Sequence, residues 1–89
     1  MNYINEAEKL LSLKIDVETE LLDLYTLLVL VKGENTTLED VHNAWSVWMN
    51  RIKTDHHSLI AFKDLSEQVK EYDREYAEAI VETAEELKN

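Results

Sequence analysis

Residues 36–52 read TTLEDVHNAWSVWMNRI. Their first five residues hold two overlapping capping boxes, Thr36 with Glu39 and Thr37 with Asp40. In such a box the hydroxyl accepts a backbone N–H that the first helical turn leaves orphaned, and the acid accepts the cap residue's own N–H. Acids at that end also suit the positive pole of the helix dipole. Leu38, Val41, Trp45, Trp48 and Ile52 then fall on one apolar stripe. That spacing predicts a helix fading near Lys53–Asp55.

Upstream lies the only glycine, Gly33, directly after Lys32, and the chain has no proline. A glycine just past a basic last turn marks a helix C-terminus. The first helical region is predicted over residues 3–32. Ile4, Ala7, Leu10 and Leu11 recur at helical spacing, and Leu21, Leu24, Tyr25, Leu28 and Val31 do so again. The stretch from Lys14 to Thr19 reads equally as a break or as continuous helix, with Asp16 as a start signal. Leu21–Val31 is apolar on nearly every side, which predicts a central helix buried from more than one direction.

Downstream, residues 54–65 form a connector carrying Leu59, Ile60, Phe62 and Leu65. Ser66 reads as an N-cap. A third helix follows over about 67–87, with Val69, Tyr72, Tyr76, Ile80, Ala84 and Leu87 on one face. The expected fold is all-α: one small single-domain bundle of three to four helices spanning residues 1–89, with an N-terminal helical region over 1–35. A domain of 89 residues has a small core, and an apolar first region leaves a homodimer or higher homo-oligomer open.

Charge is unevenly placed. Residues 1–40 and 64–89 each carry net −6, while residues 41–63 carry net +2 within a total of −10. The central segment also holds all three histidines, His42, His56 and His57, and both tryptophans, Trp45 and Trp48. Cations beside flat rings are what an anionic, ring-bearing ligand requires. Its bland counterpart is a core-facing helix followed by a solvated loop.

The overall acidity argues against nucleic acid and against anionic membranes as partners. No basic start with an apolar run marks a signal peptide, and the longest apolar run, Leu27–Val31, is far short of a membrane span. A soluble, cytoplasmic protein is expected. There is no cysteine, so thiolate metal sites, disulfides and a cysteine nucleophile are excluded. Asp55-His56-His57 invites a metal reading, but adjacent residues rarely ligate one ion together, and no metal or other cofactor is expected. Ser46, Ser58 and Ser66 lack a nucleophile elbow, so no enzyme is expected.

The run His56-His57-Ser58-Leu59-Ile60-Ala61-Phe62-Lys63-Asp64-Leu65, continued to Asp73-Arg74, resembles the RyR domain, the helical repeat of ryanodine receptors. His56, Leu59, Phe62, Leu65, Asp73 and Arg74 fall in that family's register, and Trp48 lies where the family carries a helix with a tryptophan. Both family prolines are replaced, by His57 and Ala61. The resemblance covers about residues 41–80 and makes 36–89 an RyR-like region. It implies a helical binding unit without a catalytic triad, and a stand-alone copy looks like a phage accessory or counter-defence protein.

The candidate ligand-binding residues are Trp48, Arg51, Lys53, His56, His57, Lys63 and Arg74. Arginine offers a fork of donors, lysine a point charge, and histidine a charge only in acid. Trp48 is the better placed indole for stacking, while either indole reads also as core. Arg74 reads also as a partner of Glu71 or Glu78 at helical spacing. Two functions follow. One is a non-enzymatic binder that sequesters or senses a nucleotide-type signal. The other is an acidic module that occupies a basic surface of a host protein.

Overall fold

In the computed structural model, which describes residues 2–88, the Asn2 side chain opens α1 (Tyr3–Ser12) by accepting the Asn5 N–H at 2.8 Å. The chain then leaves the helix over residues 13–18, so the ambiguous stretch is a break. Lys14 fixes it. Its Nζ donates to the Leu10 carbonyl at 3.2 Å and reaches Glu86 at 2.9 Å, tying the end of α1 to the far end of the chain. Ile15 tucks into the core beside it.

Helix α2 (Thr19–Val31) packs against α1 and two helices yet to come, as a central element should. It buries Leu21, Tyr25, Thr26 and Val29. Leu22, Leu24 and Leu28 are half-buried, whereas Leu27, Leu30 and Val31 are exposed, so one face of this apolar helix meets solvent.

The corner that follows is built by local hydrogen bonds. Gly33 has φ +57°, the left-handed conformation that glycine adopts at no steric cost, and it begins a 3₁₀ turn, Gly33–Asn35. Only one of the two capping boxes forms. The Asp40 N–H donates to Thr37 Oγ1 at 3.1 Å, and the Thr37 N–H donates to Asp40 Oδ2 at 2.9 Å. Thr36 is buried instead, its hydroxyl donating back to the Gly33 carbonyl at 2.8 Å. The box opens α3 (Leu38–Ile52).

Residues 53–65 run as turns with a second 3₁₀ turn, Phe62–Asp64, and Leu65 buried. Ser66 caps the next helix, accepting the Val69 N–H at 3.3 Å. The predicted third helix is two helices: a short α4 (Glu67–Glu71) and α5 (Arg74–Lys88). Helix α5 lies against α1, α2, α3 and the Gly33 turn.

The architecture is all-α, with no strand among the described residues. Leu11, Tyr25, Val41, Ile80 and Thr83 are the largest of its fully buried side chains. Each large apolar one contributes roughly 1.5–3 kcal/mol from burial alone. Thr83 stays satisfied inside by donating to the Ala79 carbonyl at 2.8 Å.

Candidate functional site

The junction of α4 and α5 makes the site. There the Tyr72 N–H donates to Val69 at 3.1 Å and the Asp73 N–H to Lys70 at 3.2 Å, three residues back each time, so the last turn of α4 tightens and ends. Arg74 staples the break from outside with two hydrogen bonds to Glu71, at 2.7 and 3.0 Å. Tyr72 and Asp73 are thereby held out of regular helix at the lip of a cleft of about 400 Å³.

Leu21 and Tyr25 of α2 line one side of the cleft, His42 and Trp45 of α3 a second, and His56, His57 and Ser58 of the connector a third. Val69, Tyr72, Asp73 and Tyr76 complete the lining. Four rings form a continuous row along α3 and the connector. His57 stacks on His56 with centroids 4.6 Å apart, His56 and Trp45 meet in a T-shaped pair at 5.1 Å, and Trp45 stacks on His42 at 5.8 Å. Across the cleft Tyr25 and Tyr76 stack at 5.6 Å. This volume and this lining are typical of pockets for small groups.

The polar groups are sorted. His42 is buried, and its Nε2 donates to the Ile60 carbonyl at 2.8 Å. Ser46 Oγ lies 3.4 Å from the same nitrogen, but a nitrogen already donating to a carbonyl cannot take a hydroxyl proton, so these two are not a nucleophile and base. His56 Nδ1 accepts the Ser58 N–H at 3.0 Å. Asp73 differs from all of these. Its half-buried carboxylate has neither a hydrogen bond nor an ion pair among the described residues. Burial pushes it above its ordinary carboxyl range, against the pull of the nearby His42. Burial, then the Asp73 charge, pushes the Tyr25 hydroxyl well up too.

The structure gathers only part of the set expected from sequence. His56 and His57 line the cleft. Trp48 packs on the core with its indole N–H buried and unpartnered, and Trp45 takes the place at the cleft. Arg51 in the last turn of α3, Lys53 at its C-cap and Lys63 in the second 3₁₀ turn are exposed and stand outside the lining. Arg74 is held by Glu71 and faces a different hollow with Thr36, Leu38 and Glu78. The cations and indoles of the central segment therefore do not converge. Tyr25, His42, Trp45, Tyr72, Asp73 and Tyr76 are what sequence reading missed as a group. The one available signal was Tyr72-Asp73 with Tyr76 four residues on.

No three His, Asp or Glu side chains among the described residues are gathered as a metal set. None of the described helices is long and apolar enough to cross a membrane.

A family model described as a domain of unknown function, DUF7701, matches residues 2–85. The chain belongs to the DUF7701 family. No curated protein and no solved structure matches it. The match corrects the RyR resemblance, since no RyR repeat family is found and the DUF7701 match runs through α1, α2 and the RyR-like region alike. The resemblance stood on six dispersed positions and lacked both prolines, and such spacing arises readily between amphipathic helices. In this DUF7701 domain Asp73 and Arg74 belong to a helix junction instead, one residue turned to the cleft and the other to Glu71.

Proposed function

We propose that this domain is a non-enzymatic interaction module whose partner is a basic protein segment. The single observation that carries this reading is how the charges are used. Lys14, Lys32, Lys70, Arg74 and Lys88 are each engaged by a carboxylate of the chain itself. The chain has nineteen acids against nine bases, so its acids outnumber its bases by ten. Glu75, Glu78 and Glu82 follow one another along exposed positions of α5. Such a surface draws a basic partner in and repels acidic ones.

The nucleotide reading requires a phosphate clamp beside the rings. Arg51, Lys53 and Lys63 lie outside the aromatic cleft and Arg74 is committed to Glu71, so the geometry favours the basic partner.

Titration with octa-arginine and with octa-glutamate over a salt series tests the proposal. Octa-arginine is expected to bind at low salt and to weaken steeply as salt rises. Equal binding of both peptides, or of neither at low salt, refutes it.

A further inference from the structure

We infer that the cleft between α2, α3 and the α4–α5 junction is a receptor for an organic cation, an alkylammonium or guanidinium group, with Asp73 as its counter-ion. The lining supplies what such a group needs. Aromatic rings attract cations over their faces, most strongly when water is partly excluded. Here Tyr25, Trp45, Tyr72 and Tyr76 enclose one hollow. The chain already shows the contact nearby, where the Lys70 ammonium lies 5.2 Å from the Phe62 ring centroid.

The second requirement is a carboxylate left free to accept. A half-buried carboxylate with no donor is an unfavourable arrangement that a fold normally corrects with a cap or a base. The same chain corrects it at the part-buried Asp40, which accepts the Thr37 N–H and faces Lys32. At Asp73 no backbone or side-chain donor among the described residues does so, and the carboxylate stands among rings. A guanidinium or ammonium brings the missing donors and the charge together, whereas an anion would meet like charge. His42 has its Nε2 proton occupied on the Ile60 carbonyl and His56 Nδ1 accepts the Ser58 N–H, so neither of these two nitrogens competes for the Asp73 carboxylate.

That the cation is an arginine or lysine side chain of a partner rests on the reading above; the chemistry of the cleft does not. The mouth suits a side chain delivered from outside, because Tyr72, at 64% exposure, forms its rim and the backbone beside it is irregular.

Titration of the whole chain with N-acetylarginine methylamide, followed by amide NMR shifts at His57, Tyr72, Asp73 and Tyr76, tests the inference. Its neutral isostere N-acetylcitrulline methylamide, tetramethylammonium and octa-arginine serve as comparison ligands. We expect millimolar binding of the arginine amide. The citrulline amide is expected to bind at least fivefold more weakly. Asp73→Asn and Tyr72→Ala should each weaken the arginine amide about threefold to tenfold; both sit outside regular helix, and amide spectra report directly that they fold. Tetramethylammonium, which lacks N–H donors, should lose less on Asp73→Asn than the arginine amide does. Equal binding of the arginine and citrulline amides, or indifference to both substitutions, overturns the cation receptor. If octa-arginine binds with an affinity that neither substitution changes and the arginine amide does not bind in the cleft, the cation receptor falls while the basic-partner reading stands. If the arginine amide binds in the cleft but octa-arginine does not bind at low salt, the receptor stands and the basic-partner reading falls.

Discussion

At the α2–α3 corner, the Asp40 carboxylate accepts the Thr37 N–H at 2.9 Å and faces the Lys32 ammonium at 3.5 Å; at the cleft, the Asp73 carboxylate accepts no hydrogen bond from the described residues. Burial raises the Asp40 carboxyl, but the Thr37 hydrogen bonds and the Lys32 charge outweigh it and hold the group below its ordinary value. For Asp73 burial prevails over His42, and the group ends above its ordinary value. The same residue type is thus used in opposite ways. Donors were placed where a helix must start and a chain must turn. At Asp73, where rings surround a hollow, the described residues place none. Exceptions of the second kind concentrate at sites that act on something else.

The contrast requires that the cleft lie outside the load carried by the core. Ile80→Ala is the reference for that load, since its side chain is fully buried between helices. It should cost about 2–4 kcal/mol, read as a lowered urea midpoint with an unchanged slope. Tyr72→Ala removes a larger side chain at an exposed rim and should cost under about 0.5 kcal/mol. Comparable losses from the two would make the cleft part of the core and end the comparison.

The corner is tested next. Thr37→Ala removes the acceptor for the Asp40 N–H and should cost about 1 kcal/mol at neutral pH. Asp40→Ala should cost a similar amount through the other half of the box and the Lys32 pair. Its cost carries a sign. A carboxyl with a lowered native pKa contributes stability that is present above its unfolded value and lost as pH falls through its native one. Urea midpoints of Asp40→Ala and the parent chain should therefore converge on acidification. A gap that is constant with pH would show that the Asp40 charge contributes nothing at the corner.

These same regions differ in how far the sequence disclosed them. The corner is local: Gly33, Thr37 and Asp40 lie within eight residues, and their bonds span three positions. Periodicity and capping signals read such features directly, as they did for Ser66. The α4–α5 break was not legible because residues 71–74 contain neither glycine nor proline and the apolar stripe runs on through Tyr72 and Tyr76. The cleft draws on α2, α3, the connector and the junction, so only tertiary packing brings it together. Charge density along the chain pointed to residues 41–63, but being near in sequence did not make Arg51, Lys53 and Lys63 face one hollow. On α3 the choice between Trp45 and Trp48 was a choice of helix face. The connector folds back over the His42–Trp45 side, as the Ile60 carbonyl on His42 and the His56 ring on Trp45 show.

The smallest expected effect is the most discriminating, because it has the unusual sign. Asp73→Asn deletes a charge that burial disfavours and leaves an amide of the same shape. The native chain should gain up to about 0.5 kcal/mol at neutral pH, a modest figure because the carboxylate is only half-buried and solvent screens it. The pH dependence runs opposite to that of Asp40. A carboxyl with a raised native pKa binds its proton more tightly when folded, so its penalty is absent below the unfolded value and grows as pH rises to the native one. The advantage of Asp73→Asn should therefore vanish in acid and be complete above the native value, where thermal midpoints against pH will show it. A loss of stability instead would mean that the carboxylate holds the fold as Asp40 does. A gain that accompanies weakened cation binding would place Asp73 among residues kept for binding at the expense of stability.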